Sequence, residues 1–183
     1  GRNWGWVRQQ GRDPAELPLA RAAVARWMQL DEELGQPTGY RQHGNLRLAR
    51  DAEEVAVIRQ LVADQTQAGL DLHFLPDLKS VRAVAPAVGE RVQAASFCPG
   101  DGHADPDMTL AAYAQAARRH GAVLREDVRA LSMLRSGRTI TGVMTSVGAM
   151  LADRVIVATG IHAPELLMPL GLALPLAVQR VSV

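Results

Sequence analysis

The sequence contains a single cysteine, Cys98, among its 183 residues. One cysteine excludes a disulfide within the chain, and it cannot form a cysteine metal cluster. No uninterrupted apolar run reaches the roughly 18 residues that a membrane-spanning helix requires. A net charge of +1 gives no electrostatic argument for nucleic acid as a partner. The remaining composition, 48% hydrophobic and 21% charged, is ordinary for a globular protein of one or two domains.

Histidines are also too dispersed to predict a metal site. His103 lies between Asp101 and Asp105 in a glycine-rich loop, and a histidine near carboxylates is a candidate base or metal ligand. No other histidine stands at ligand spacing from it. We therefore favour a loop residue or a partner of a helix cap, and we expect no metal.

A short apolar run over Val155–Ala158 is typical of a strand buried on both faces of a parallel sheet. It stops at Thr159-Gly160, where glycine lets the backbone turn tightly or approach a ligand closely. Ligands of open α/β sheets bind beyond the carboxyl ends of the strands, so this strand is a candidate floor for a cofactor. The alternative is a core strand followed by an ordinary turn. We expect a central strand at Val155–Ala158, flanked by a helix over Pro106–His120.

The residues before this run predict a helix and an antiparallel meander. Asp105 is a favourable helix cap, and Pro106 suits the first helical position. Glycines and serines then punctuate β-rich segments, as in successive hairpins. The predicted strands lie near Val128–Leu134, Arg138–Thr145 and Gly148–Leu151.

The first half of the chain has clear helical periodicity. Apolar residues recur at helical spacing over Pro18–Leu34, and a second helix over Asp51–Ala68 begins with a capping aspartate. Between them, Asn45–Ala49 alternates like a half-buried strand. Short strands are also predicted at Leu72–Leu75 and Val92–Cys98.

Taken together and in this order, the segments resemble one family. Gly102-His103-Ala104-Asp105-Pro106, the helix that follows, Val128, the meander and Val155–Gly160 look like the flavin-dependent D-amino-acid oxidase superfamily. That superfamily includes glycine and sarcosine oxidases, D-amino-acid dehydrogenases and opine oxidases. The N-terminal stretch Arg2–Gln10 resembles the segment after the family's first FAD-binding strands. It is most similar to the beta subunits of heteromeric sarcosine oxidase and to opine oxidase subunits.

One departure from the family pattern is important. The family begins with a strand, a Gly-x-Gly-x-x-Gly turn and a helix whose N-terminus holds the pyrophosphate, and this sequence has no such turn. The resemblance therefore implies an internal fragment that lacks the N-terminal dinucleotide motif and the C-terminal part. It implies FAD as cofactor of the full-length parent, with weak or absent binding by these residues alone.

The resemblance also implies a set of site residues. Those that match the family's flavin-contacting positions are Arg2, Asn3, Trp4, Gly5, Val128, Ala158, Thr159 and Gly160. Weaker candidates for the wall of the substrate cavity are Tyr40, Arg41 and His43. Without the resemblance, the N-terminal stretch with its tryptophans and arginines is equally typical of a flexible end that packs on the body. No catalytic side chain is assigned.

The expected fold class is mixed α/β. It comprises part of a Rossmann-like FAD-binding domain with an inserted antiparallel meander, and part of a mixed-sheet substrate-binding domain. The expected organisation is a flavin-side segment and helix over 1–38 and a substrate-domain portion over 39–98. The rear half of the FAD-binding domain would occupy 99–160, and 161–183 would return towards the substrate domain.

The function that the resemblance implies is oxidation of the C–N bond of a small amine or amino acid. A hydride passes from the substrate carbon to the flavin, which leaves an imine that hydrolyses. A cytoplasmic location, or one peripheral to the inner membrane, is implied as well, with self-association or a partner subunit. The rival hypotheses are a non-catalytic subunit that keeps the fold without flavin, and an unrelated αβ binding module.

Overall fold

The computed structural model describes residues 4–177, and the chain divides into two compact units, Gly1–Val123 and Leu124–Val183. The helices of the first unit are α1 (Leu17–Trp27), α2 (Leu30–Leu34), α3 (Ala52–Gln67), α4 (Leu78–Val84) and α5 (Pro106–Arg119). Its strands are β1 (Trp6–Val7), β2 (Asn45–Ala49), β3 (His73–Leu75), β4 (Ala94–Cys98) and β5 (Gly102–His103). The second unit contains strands β6 (Ala130–Ser136), β7 (Thr139–Thr145) and β8 (Gly148–Leu151), and the helix α6 (Ala163–Leu167).

The centre of the first unit is a three-stranded antiparallel sheet in the order β2-β4-β3. Helix α3 covers one face, where Ile58 packs on Ala49 and Ala94 in the strands. On the other face, Val81 of α4 packs on Ala95. Because both faces of β4 are covered, its residues are almost entirely buried, as a central strand requires.

The local signals for α3 and α5 are confirmed by their caps. The carboxylate of Asp51 accepts from the backbone N–H of Glu54 at 2.8 Å, and α3 ends close to the predicted boundary. Asp105 accepts from the backbone N–H groups of both Asp107 and Met108 at 2.9 Å. These carboxylates satisfy N–H groups that have no partner within a helix, which explains why the helices begin there.

The single helix predicted over Pro18–Leu34 is wrong in one respect. Two helices are present instead, because α1 ends at Trp27 and α2 begins at Leu30. The two pieces bury separate faces. Val24 of α1 packs with Val7 and Ala104, whereas Leu30 and Leu34 of α2 pack with Ala112 and Ala116 of α5. The break allows α2 to pack on α5, and the spacing of apolar residues along the sequence does not predict such a break.

A small sheet of two strands was not predicted. Strand β1 pairs antiparallel with β5, so that Trp6 lies opposite His103 and Val7 opposite Gly102. The pairing joins the N-terminal segment to the loop that precedes α5.

The second unit is built on the predicted meander, which is confirmed as the antiparallel sheet β6-β7-β8. Gly142 has a φ of 152°, and a Cβ at that position would overlap the backbone of Met150 on β8. The sheet is followed by a stretch without regular secondary structure, a 3₁₀ turn at Gly160–His162 and then α6.

The predicted central strand at Val155–Ala158 is wrong. The segment belongs to no strand in the described part of the chain, and Ile156 is 91% exposed. The expected flanking helix, α5, lies in the other unit. An apolar run becomes a strand only when its backbone N–H and C=O groups pair with a neighbour, and residues 4–177 supply no neighbour here.

The mixed α/β class with antiparallel sheets is confirmed. The assignment of residue ranges to an FAD-binding and a substrate-binding domain remains a prediction. Among the described residues, no helix is both long and apolar enough to span a membrane.

Candidate functional site

The second unit contains a cavity of about 430 Å³. Its walls come from the beginning of β6 and from the turn that leads into α6. The lining residues are Arg129, Ala130, Leu131, Thr159, His162, Glu165 and Leu166. Pockets of this size accept a small ligand or one part of a larger one.

The polar end of this cavity is formed by a histidine and a carboxylate. Nδ1 of His162 lies 2.9 Å from Oε1 of Glu165, one helical turn further along the chain. This contact, together with the nearby charge of Arg129, lowers the pKa of the Glu165 carboxyl below its ordinary value. Glu165 is therefore an anion at neutral pH, and the cavity carries charges of both signs.

Of the sequence-predicted flavin contacts, Thr159 lines this cavity directly. Val128 immediately precedes the lining residue Arg129, and Ala158 and Gly160 flank Thr159. The structure thus gathers around one cavity two segments that lie about thirty residues apart in the sequence. Neither His162 nor Glu165 was predicted, although their i, i+3 spacing just after Gly160 is a recognisable helical pair.

The backbone before β6 is held in an unusual conformation. Asp127 has a φ of 58°, and among the described residues other than glycine it is the one with a positive φ. Two residues further along, the backbone of Arg129 is held by Ser146. The Arg129 N–H donates to the Ser146 hydroxyl at 3.1 Å, and the Ser146 N–H donates to the Arg129 carbonyl at 2.9 Å. Aspartate tolerates the left-handed region better than most residues, so it suits the bend that precedes Val128 and the lining residue Arg129.

The remaining predicted flavin contacts belong to the first unit. Arg2 and Asn3 lie outside the described residues. Trp4 and Trp6 are each 54% exposed, with ring centroids 5.2 Å apart in an edge-to-face arrangement. The guanidinium of Arg8 lies 5.8 Å from the centre of the Trp6 ring. The segment therefore presents aromatic surface and positive charge together, which suits a planar anionic ligand.

Two further cavities adjoin this N-terminal segment, and Trp6 lines both. The larger, of about 390 Å³, lies against α1; its lining residues include Arg8, Arg12, Leu19, Val24 and Trp27. The smaller, of about 230 Å³, lies against α5; its lining residues include Gly5, Ala104, Pro106, Leu110 and Tyr113. The smaller one is mainly apolar, whereas the larger carries two arginines.

The three predicted substrate-side residues are close in sequence but differ in environment. Tyr40 packs beside Trp27 with ring centroids 5.6 Å apart, and its buried hydroxyl has no hydrogen-bond partner among the described residues. Burial, and then the charge of Asp101, raise the pKa of Tyr40 above its ordinary value. Arg41 and His43 are exposed, and the ring of His43 lies 6.2 Å from that of His103.

A buried polar cluster formed by Asp101, Ser96 and Gln10 was not predicted. Asp101 is fully buried, and its carboxylate accepts from the backbone N–H of Gln9 at 2.7 Å and of Gln10 at 3.3 Å. Ser96 donates its hydroxyl to the side-chain oxygen of Gln10 at 2.9 Å. No local sequence signal identifies it, because its members are about 90 residues apart.

A metal site is not indicated. Within residues 4–177, no group of three or more histidine, cysteine, aspartate or glutamate residues is arranged to hold an ion. Cys98 is buried, and its pKa is raised to about 12, first by burial and then by the charge of Asp101. A thiol with that pKa is protonated at neutral pH and is therefore a poor nucleophile.

Comparison with curated proteins finds similarity to enzymes that oxidise amines. The chain is 28% identical to 4-methylaminobutanoate oxidase (formaldehyde-forming) of Paenarthrobacter nicotinovorans, over 86% of this chain and 19% of that protein. It is 30% identical to human mitochondrial dimethylglycine dehydrogenase, over 84% of this chain and 18% of that protein. The chain therefore spans less than a fifth of the length of these relatives.

Solved structures give the same picture of the fold. Glycine oxidase from Geobacillus kaustophilus superposes with a TM-score of 0.85 at 26% identity, over 93% of this chain and 48% of that one. L-proline dehydrogenase from P. horikoshii superposes with a TM-score of 0.79 at 30% identity, over 90% and 43%. The family profile described as "DAO: FAD dependent oxidoreductase" matches residues 1–183. The chain belongs to this family of FAD-dependent oxidoreductases.

Proposed function

We propose that these residues form part of an enzyme that uses FAD to oxidise the C–N bond of a small amine or amino acid. The observation that supports the proposal most is the cavity of the second unit, where Thr159 and the start of β6 come together. These are the segments whose sequence resembles the family's cofactor-contacting turns. The cavity has room for one part of the cofactor, and Arg129 brings a positive charge to its lining.

The residues fit such a cofactor chemically. The Gly160 backbone has a φ of 56°, and a Cβ there would meet no other atom within 4 Å, so the turn beside Thr159 is open. In the first unit, Trp4 and Gly5 are proposed to lie on the flavin side, together with Arg2 and Asn3. When bound, FAD supplies the acceptor for the hydride that leaves the substrate carbon. Trp4 and Trp6 would bound a planar ring and exclude water from it, while Arg8 would offset negative charge.

The substrate side is proposed to include Tyr40, Arg41 and His43. Arg41 is exposed, and its guanidinium donates to the Tyr40 carbonyl at 2.7 Å, which leaves further N–H groups able to bind a carboxylate. The buried Tyr40 hydroxyl is a donor in need of an acceptor. These features suit an amino acid better than a simple amine.

The domain assignment goes with this proposal. Residues 39–98 would belong to the substrate-binding domain, and residues 99–160 to the rear half of the FAD-binding domain. Residues 1–38 would supply the flavin-side segment with its helix, and 161–183 would return towards the substrate domain. The cellular location implied by the resemblance stays a prediction.

The test is to purify the whole protein in which residues 1–183 occur and to assay it with glycine, sarcosine, dimethylglycine, D-alanine and an opine. We expect a yellow protein whose flavin is reduced by at least one of these substrates. The Arg41→Gln variant should raise KM for substrates with a carboxylate about tenfold or more, since a charge-assisted hydrogen bond contributes roughly 1.5–3 kcal/mol. The matched control is Arg91→Gln, at another exposed arginine.

A second candidate is a non-catalytic subunit that keeps this fold without flavin. Its motivation is limited to these 183 residues, which contain no Gly-x-Gly-x-x-Gly turn of their own to hold a pyrophosphate. Colour discriminates the two. A colourless whole protein that takes up no added FAD would overturn the oxidoreductase proposal and support this one.

The chain is further proposed to self-associate or to bind a partner subunit. Strand β8 pairs only with β7 among the described residues, and Leu151 at its end is 80% exposed. Open edges with apolar side chains readily pair with other chains. Light scattering should show a dimer or larger species, and Leu151→Lys should shift it towards monomer. A wild-type monomer at high concentration would contradict self-association.

A further inference from the structure

The loop from Pro99 to Asp105 lies between two segments that the proposed function assigns to different ligands. On one side, β5 in this loop pairs with β1 of the flavin-side segment. On the other side, the Arg41 N–H donates to the His103 carbonyl at 2.8 Å, and the His103 N–H donates back to Arg41 at 3.0 Å. The loop is therefore hydrogen-bonded to both segments at once.

The side chain of Asp101 adds further hydrogen bonds between this loop and the flavin-side segment. Its Oδ1 accepts from the backbone N–H of Gln9 at 2.7 Å and from the Gln9 side-chain amide at 3.3 Å. Its Oδ2 accepts from the backbone N–H of Gln10 at 3.3 Å. Its own carbonyl accepts from the Gly44 N–H at 2.9 Å. A fully buried carboxylate that accepts several N–H bonds holds the chain more strongly than neutral hydrogen bonds do.

The residues that follow Gln9 are held by side chains from other elements. The side-chain amide of Gln10 donates to the Asn45 carbonyl at 2.6 Å on β2. The Gly11 N–H donates to the side chain of Gln65 at 2.9 Å, and Gln65 donates to the Arg12 carbonyl at 2.8 Å. Strand β1 is thus anchored at its C-terminal side, where a segment of only two paired residues would otherwise fray.

We infer that Asp101 is a positioning residue, which holds the flavin-side segment and the Tyr40–Gly44 segment in fixed positions relative to each other. The inference rests on the proposed function for the roles of these two segments. Asp101 touches neither ligand; it acts through the backbone of Gln9 and Gln10. The negative charge matters because both carboxylate oxygens accept, whereas an asparagine would turn an N–H₂ donor against a backbone N–H.

The test uses the full 183-residue chain and the Asp101→Asn variant, with hydrogen exchange followed by mass spectrometry. In the wild type, the Gln9 and Gln10 amides should be protected. In the variant, their exchange should accelerate at least about tenfold, as loss of a charge-assisted hydrogen bond predicts. The matched control is Asp77→Asn, because Asp77 also accepts from a backbone N–H, that of Ser80 at 2.7 Å, but on the exposed cap of α4.

A spectroscopic readout separates positioning from general loss of stability. The edge-to-face pair of Trp4 and Trp6 should give an exciton couplet in circular dichroism, which depends on their mutual geometry. Asp101→Asn should lose the couplet. Val81→Ala, which removes packing between α4 and β4, should lower stability and keep it.

The outcomes are decisive in each direction. Fast exchange of the Gln9 and Gln10 amides already in the wild type would overturn the inference without any variant, even if Asp101→Asn does not fold. An unchanged couplet and unchanged protection in Asp101→Asn would overturn it as well. The proposed function is tested separately by whether the whole protein binds FAD. Lack of FAD binding there, with a loosened segment in the variant, would support positioning by Asp101 and reject the flavin role of the segment.

Discussion

The backbone of Gly5 lies directly against the backbone of Ala104. The Ala104 N–H donates to the Gly5 carbonyl at 2.8 Å, and a Cβ at Gly5 would overlap the Ala104 carbonyl oxygen. Gly5 also has a φ of 74°, in the left-handed region. Glycine is therefore required here both by the backbone conformation and by the close approach of two segments.

Gly5→Ala should lower the free energy of unfolding and displace the N-terminal segment. The left-handed conformation alone costs an alanine about 1–2 kcal/mol, and the overlap adds to this. The control is Gly121→Ala, because Gly121 has a φ of 85° but open space around its missing Cβ. Urea unfolding should show a larger loss for Gly5→Ala. Equal losses in the two variants would mean that the contact with Ala104 adjusts at little cost.

The sequence predicted elements whose signals are local. The cap of α3 by Asp51 and the turn between β7 and β8 depend on residues within one turn of each other, and both are observed. Val155–Ala158 shows the limit of such signals. Its apolar run is typical of a strand, but pairing depends on a neighbour, and the described residues provide none.

The candidate site was predicted in the same uneven way. Thr159 was identified through a turn motif and does line a cavity. His162 and Glu165 line the same cavity, but no sequence motif identified them as site residues. Asp101 was noted in the sequence only as a neighbour of His103. Its burial and its contacts with Gln9 and Gln10 depend on long-range packing that no short motif encodes.

Cys98 should be almost inert towards thiol reagents in the folded protein. It is fully buried, and its pKa is raised to about 12 from an ordinary value of 9.0. At pH 8 this shift leaves about a thousandfold less thiolate than in the unfolded chain. Reaction with a chromogenic disulfide should be slow in buffer and rapid in urea, and Cys98→Ala serves as the blank. Rapid reaction in buffer would show that the thiol is accessible.

The same thiol gives stability a dependence on alkaline pH. Because the folded pKa of Cys98 is raised, the thiol ionises first in the unfolded chain. Its contribution is complete below pH 9.0 and is lost as the pH rises from 9.0 to about 12. Cys98→Ala should therefore lose less stability than the wild type over that range, measured by urea unfolding at each pH.

The contact between His162 and Glu165 should be visible in the titration of the carboxyl group. The hydrogen bond and charge of His162, with a smaller contribution from Arg129, lower the pKa of Glu165 below its ordinary value of 4.5. The contact therefore stabilises the fold above pH 4.5, and this contribution is lost as the pH falls through the lowered pKa. In His162→Gln, NMR titration should show the Glu165 pKa rising towards 4.5. His120→Gln is the control, and an unchanged Glu165 pKa in His162→Gln would contradict the contact.

The last prediction is that these 183 residues alone bind FAD weakly or not at all. The pyrophosphate of FAD is normally held by the N–H groups of a helix N-terminus after a Gly-x-Gly-x-x-Gly turn, and the sequence contains no such turn. The cavity at Thr159 offers Arg129 instead, whose side chain is exposed, and the Glu165 carboxylate in the same lining repels a phosphate. Exposed charge contacts are worth about 1 kcal/mol or less each, too little for tight binding. Titration followed by flavin fluorescence should give weak binding that is reduced by Arg129→Gln and unaffected by Arg138→Gln. Submicromolar, stoichiometric binding by this chain would show that another group of its residues holds the phosphates.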